Sequence, residues 1–476
     1  MAAELSHDRK GVVPRMGWLG FFAFAWLAAA GATDGSAASR PPIFADLADR
    51  ARAQPAEFAA DALLRIADAP TPADVAWKRE ILEDAFHLAA GAQQPLGRRN
   101  WTGKPGSLFD KAYAQGLDAC TLQCKAVHAM LAIDYKKARE LFGEIPPPQI
   151  PRLTCEDALV YDVSIFYATV GEVAARAFSA KEVAQEEPFH LLQRYAADVT
   201  SPAQAAPIAR MLVGASLKPA QFEALVDSFA GALVQLSGDD RSFSATIAGD
   251  ADAAIAGLSA ECARRRIDAQ PLVEAWRAYL ARQLSGARCA DSVAQGVRLT
   301  LSDDAKPASV DGNARPAGQC ESPECRQLAA QFTNLVMAPN GYGLTPEQKA
   351  SSDWGGKLRL YLAALADWTG DDDPVEYFQF KSRFYSELFN LAPNGPERDL
   401  LLSTLLAWLQ QNGYQRDHRV EWFYPVNALI IHAFADPLGM KATMRELRRS
   451  SDPVIALFAQ LEQLLPRPIQ GTMGLL

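Results

Sequence analysis

The sequence is poor in the features that usually announce a chemistry. It holds no HExxH, GxSxG, GxxxxGK[ST], GxGxxG or CxxCH, so the familiar signatures of zinc proteases, nucleophile elbows, phosphate-cradling loops, dinucleotide folds and attached haem are all missing. Histidine is scarce, with six scattered residues. Basic charge is also short: Lys+Arg 47 against Asp+Glu 56 gives −9, which removes the electrostatic footprint of a general nucleic-acid binder. After the first forty residues no run is long and charge-free enough to span a bilayer. Strand-like alternation is rare, and the best candidate, Gln295 to Ser302, is short. What is abundant is ordinary globular material, 49% hydrophobic and 22% charged, which argues against a disordered or fibrous chain. At 476 residues, two or three structural units are expected.

The N-terminus reads as an export signal over residues 1–38. Arg9, Lys10 and Arg15 precede the uncharged run Gly17 to Ala32, and Ala30-Gly31-Ala32 or Ser36-Ala37-Ala38 supplies small residues for cleavage. The alternatives are an uncleaved anchor or a buried helix. Arginine outnumbers lysine 33 to 14, a bias of GC-rich bacterial genomes, so the expected location is the periplasm or the bacterial exterior. Asn100-Trp101-Thr102 has the form of a glycosylation sequon, which an ordinary loop Asn also satisfies.

Beyond the leader the apolar period is helical. From Pro55 to Ala69, Phe58, Ala62, Ile66 and Ala69 recur at three- and four-residue spacing, and Leu153 to Phe178 repeats the pattern. Thr71-Pro72, Ser201-Pro202, Thr345-Pro346, Asp373-Pro374, Asp436-Pro437 and Asp452-Pro453 each put a capping side chain before a proline, which lacks the amide that a helix start would orphan. Thr345 with Gln348, and Asp373 with Glu376, have capping-box spacing. The expected fold is therefore all-α, as stacked helical hairpins in an α-solenoid-like array or an irregular bundle. The segments Asn334–Gly341 and Asn390–Gly395 echo each other as helix stops, with Gly supplying the left-handed turn. Residues 301–319, rich in Asp, Ala, Pro, Gly and Ser, predict a polar linker between an N-terminal region, 41–300, and a C-terminal region, 320–476.

Export implies paired cysteines. The spacing predicts Cys320–Cys325, Cys262–Cys289, and Cys120 or Cys124 with Cys155, each bridge contributing about 2–4 kcal/mol, with one thiol left over. Cys120, Cys124 and His128 also lie at i, i+4 and i+8, with Cys155 as a possible fourth ligand. That row spans about 12 Å of helix axis, too long for one ion to bridge, so no metal site is assigned.

Aromatics gather late in the chain. Tyr377, Phe378, Phe380, Phe384, Tyr385 and Phe389 crowd one stretch, flanked by Trp354, Trp368, Trp408 and Trp422. Such a stripe either fills a core or lines a groove for a sugar or peptide. In the second case Trp354, Trp368, Tyr377, Tyr385 and Arg383 form the ligand site. Asp371-Asp372-Asp373 fits a helix start better than a Ca²⁺ site, Arg264-Arg265-Arg266 fits a solvated face, and His432 sits in an apolar helix as a core residue. The function these features predict is an exported helical binding or scaffold protein of the bacterial envelope. Its partner would be a protein, peptide or glycan, with no nucleic acid, no cofactor and no membrane span once the signal is cleaved. The rival is an envelope hydrolase acting on carbohydrate or peptide, with carboxylates roughly 5–10 Å apart in an aromatic-lined cleft of the C-terminal region. A third reading is a membrane-tethered subunit that keeps its leader.

Overall fold

Among the described residues, the helical period read from the sequence is met by helices. The computed structural model describes residues 42–70, 74–93, 112–150, 163–236, 245–285, 288–289, 310–311, 322–338, 341–370, 374–393, 395–412, 419–435 and 441–466. Among these, twenty α-helices dominate. In the N-terminal part they are α1 (Pro42–Arg52), α2 (Ala56–Ala67), α3 (Val75–Ala89), α4 (Ala119–Leu131), α5 (Tyr135–Glu144), α6 (Ser164–Arg176), α7 (Ala180–Ala184), α8 (Glu187–Ala197), α9 (Ala205–Val213), α10 (Pro219–Gln235), α11 (Ala245–Arg265) and α12 (Gln270–Ser285). The later ones are α13 (Pro323–Val336), α14 (Pro346–Ala350), α15 (Ser352–Asp367), α16 (Pro374–Leu391), α17 (Pro396–Gln411), α18 (Arg419–Ala435), α19 (Lys441–Arg448) and α20 (Pro453–Leu464). Two pairs of two-residue strands complete the regular structure: Arg288–Cys289 beside Val310–Asp311, parallel, and Met337–Ala338 beside Gly341–Tyr342, antiparallel. The all-α expectation holds.

The caps work as the sequence predicts. Thr345 Oγ1 accepts the Gln348 amide at 3.1 Å, and Gln348 Oε1 accepts the Thr345 amide at 2.8 Å. Asp452 Oδ1 takes the amides of Val454 and Ile455, satisfying two donors that helix geometry orphans. Ser201 and Gln204 make the same box, but it opens a 3₁₀ turn, Pro202–Gln204, before α9. Thr71, Asp373 and Asp436 lie outside the described residues, as do residues 1–41, the 295–302 strand candidate, the sequon and most of 301–319. Of the two echoing stops, Gly395 takes a positive φ, +144. In the other, the chain turns back as a two-strand hairpin, and Gly343 just beyond it takes φ +129.

In α2, Phe58, Ala62 and Ile66 are all buried, as the period requires. A single amphipathic helix cannot cover its own stripe, so the helices stack. From α2 the packing passes to α3, then α4, then α6, and on through α8 and α9 to α10, α11 and α12. A second series runs from α13 and α15 through α16 to α18 and α20. The two series meet where α20 rests on α1 and α2. Phe58 lies 4.8 Å from Phe423 and 6.0 Å from Trp422, centroid to centroid, and meets Phe458 edge-on at 6.3 Å. Arg419 grips the fully buried Glu57 through Nε and Nη2, the latter at 3.2 Å, and Arg65 Nη2 reaches Glu462 at 2.8 Å. The helices on either side of residues 301–319 therefore share one hydrophobic core, within a single compact unit covering residues 40–476.

The cysteines depart from expectation. Cys120, Cys124 and Cys262 are buried free thiols, so neither the Cys262–Cys289 bridge nor a bridge from Cys120 or Cys124 to Cys155 is formed. The helical stripe explains why. Ile255, Leu258 and Cys262 share the buried face of α11, which carries the sulfur into the core rather than toward a loop. The Cys124 thiol hydrogen-bonds to Cys120 one turn away and to Thr169 of α6; the Cys120 contact and burial push its pKa up, against an opposing pull from Thr169. Cys325 is buried in the first turn of α13 and is not among the free thiols; its expected partner Cys320 lies outside the described residues.

Two outcomes follow. Arg419→Met strands the Glu57 carboxylate in the core and is expected to cost about 3–5 kcal/mol in urea unfolding, whereas Arg419→Met combined with Glu57→Leu returns close to wild type. A single-variant loss below about 0.5 kcal/mol would show that the pair does not hold the seam. Iodoacetamide applied without reductant is expected to modify Cys120, Cys124 and Cys262 after denaturation but not in the native protein. Peptide mass mapping reads this directly, and rapid native labelling would contradict the burial.

Candidate functional site

The aromatic stretch resolves into a cage around a residue the sequence pattern did not single out. Just after α15, Gly370 has φ +104 and a Cβ would sit 3.0 Å from the Tyr377 ring, so both conformation and space demand glycine. Lys381 of α16 lies against the end of α15. The side chain is 3% exposed. Its Nζ donates to the Trp368 carbonyl at 2.7 Å, the Ala366 carbonyl at 3.4 Å and Tyr377 Oη at 2.9 Å. It also lies 4.7 Å from the Trp408 ring centroid and 5.1 Å from that of Tyr377, both within cation–π range.

The rings brace one another. Trp368 meets Tyr377 at 4.8 Å and 77°, Tyr377 meets Trp408 at 5.5 Å and 87°, and Phe378 stacks on Trp408 at 5.9 Å and 21°. Trp408 Nε1 donates to Ser382 Oγ at 3.1 Å, and Tyr377 Oη donates to the Trp368 carbonyl at 2.8 Å. The ammonium thus caps the negative end of α15, whose last carbonyls have no helical partner. Burial pushes Lys381 down to about 8, pushes Tyr385 up to about 12 and raises Tyr377. The cage is filled by the chain's own cation.

Of the five residues expected in a ligand site, three come together here. Trp368 and Tyr385 are buried and Tyr377 is partly so, all around Lys381 and Trp408. Trp354 is also buried but lies fourteen residues before Trp368, about 21 Å along the helix. Arg383 is about half exposed and pairs with Glu387 on its own helix at 2.6 Å, outside the cage. Trp354 Nε1, Tyr361 Oη and Trp368 Nε1 are buried without a hydrogen-bond partner among the described residues. Each such donor costs about 1–3 kcal/mol. Their seven-residue spacing puts them on one stripe of α15, too extended for one small molecule to satisfy. Lys381 was legible only as a lysine four residues after Tyr377 in an otherwise aromatic stretch.

The other candidates are absorbed by packing. His432 meets Arg398 at 3.3 Å and the edge of the Phe389 ring. His128 pairs with Glu172 of α6 at 2.6 Å and is exposed, whereas Cys120 and Cys124 face inward. Arg265 departs from the solvated-face expectation: its guanidinium stacks on Phe222 at 3.9 Å, donates to the Ala215 carbonyl at 2.8 Å and pairs with Glu261. Asp371 to Asp373 lie outside the described residues.

A groove of about 430 Å³ opens between α10 and α12. Ala230, Gly231, Ala275 and Ala278 line it, with the carboxylates of Asp227 and Glu274 beside them.

Lys381→Met provides the test of the cage. From this group, the folded chain loses its proton near pH 8 while the unfolded chain keeps it to about 10.5. The unfolded state then binds more protons, so stability rises with pH across that window, by up to about 1.4 kcal/mol per pH unit. The stability advantage of wild type over Lys381→Met is therefore expected to grow between pH 8 and 10.5 in urea titrations. A shrinking advantage would mean that the carbonyls and ring faces outweigh burial and hold the ammonium charged.

Comparison of the chain with protein-family models, curated proteins and solved structures finds no match, so the functional reading rests on geometry and chemistry.

Proposed function

We propose that this chain is an exported helical scaffold of the bacterial envelope that works by binding a macromolecular partner along its stacked helices. The observation that carries this reading is the closure of the aromatic cluster on Lys381, which is saturated by three oxygen acceptors and two ring faces. The rings that would have made a substrate cleft are spent on joining α15 to α16. The hydrolase alternative needed carboxylates facing such a cleft. Glu387 instead pairs with Arg383 on the outer side of α16. Stacked helical hairpins offer extended faces suited to proteins and peptides, and this role is assigned by analogy of architecture. Export rests on the basic, apolar and small-residue order of the first 38 residues, and a local Cys320–Cys325 bridge belongs to the same proposal.

Photo-crosslinking tests the binding role. A benzophenone amino acid placed at the exposed positions Val234, Leu360, Leu400 and Phe434 is expected to yield discrete crosslinked species at one or more sites in cells. An exclusively monomeric pattern at all four would overturn the reading. The intact mass of envelope material is expected to start after Ala32 or Ala38, and retention of Met1 to Ala32 would favour a tethered subunit instead.

A further inference from the structure

Resting on the scaffold reading, we infer that the groove between α10 and α12 is a docking site for an amphipathic helix of a partner protein presenting a Lys or Arg. The alkyl stem lies on the floor of small residues, and the charged head sits between Asp227 and Glu274.

The register of the two helices supports this placement. Arg282, near the end of α12, donates from Nη2 to the carbonyls of Leu233 and Val234 at 3.0 Å each. The C-terminal ends of α10 and α12 therefore lie side by side and the helices run parallel. The same offset of 48 or 49 residues sets Asp227 opposite the turn that carries Glu274. Ala230 and Ala275 form a buried floor, and Val234 is 46% exposed at the rim. Asp227 has no cation paired with it among the described residues, and Glu274 accepts from the Gln270 amide at 2.8 Å.

Gly231 is the second observation. It lies inside a regular helix, where glycine costs about 1 kcal/mol relative to alanine. A Cβ there would meet nothing within 4 Å, so neither internal packing nor backbone conformation demands glycine. Gly143, Gly257 and Gly356 are equally unconstrained, and what sets Gly231 apart from them is its place in the groove lining, where the missing side chain leaves the floor open. Basic side chains suit such a trough because their alkyl stems cover apolar surface while the head stays with carboxylates. The groove also stands at the end of the N-terminal series, where α12 packs on α10 and α11. A partner helix laid there continues the stacking.

The net charge of −9 attracts any basic peptide, so the decisive variant leaves charge untouched. The probe is a fluorescent helical peptide of about 18 residues with an Ala/Leu seam carrying three lysines, alongside the same peptide with glutamates, titrated against the full chain by anisotropy at about 0.15 M salt. Saturable binding of the lysine peptide is expected, weakened about tenfold or more by Gly231→Phe or Ala278→Trp, each with an unchanged urea midpoint. Asp227→Lys with Glu274→Lys is expected to reverse the preference toward the glutamate peptide. Lysine-peptide affinity within about twofold of wild type in both filling variants, or no saturable binding, would overturn the groove assignment. Crosslinks persisting from Leu360 or Leu400 in that event would leave the scaffold reading standing.

Discussion

The helices at the two ends of the described chain bury each other, and the rest of the architecture depends on that contact. Without α18 and α20, the face of α2 that carries Phe58 would be exposed to water, and without α2 the rings of Trp422, Phe423 and Phe458 would lose their partner. Burying one such ring is worth about 1.5–3 kcal/mol. The buried Glu57–Arg419 pair inside the seam adds direction rather than bulk stability, since desolvation consumes much of its attraction.

From this seam the packing runs outward in both directions, each helix covering part of the stripe of the next. That arrangement uses up chemically expressive residues. Lys381 caps a helix end inside an aromatic cage, Arg265 bolts α11 to the start of α10 through Phe222, and His432 is held between Arg398 and Phe389. Groups that would suggest catalysis when read as residue types act instead as fasteners between short helices. At the α10–α12 groove, by contrast, Gly231, Ala278, Asp227 and Glu274 remain exposed.

Local features were readable in advance and contacts between distant segments were not. The Thr345–Gln348 box and the Asp452 cap appear as spaced because every atom involved lies within four residues. The aromatic stripe was legible as core, but its centre was not. Lys381 is one charged residue among rings, and its acceptors are backbone carbonyls thirteen and fifteen residues away. The Cys262–Cys289 pairing failed for a related reason. Spacing permits a bridge between Cys262 and Cys289, but the helix face turns Cys262 into the core.

The sequence by itself determined that this protein is helical, where several of its helices begin, and which faces seek burial, because period and capping are set by neighbours along the chain. Only the tertiary structure decided that the two helical series close on one another, that Cys120, Cys124 and Cys262 stay free, and that an aromatic cage holds the chain's own lysine. Those outcomes depend on residues as far as 410 positions apart, and no local rule connects side chains that meet only after the helices have stacked.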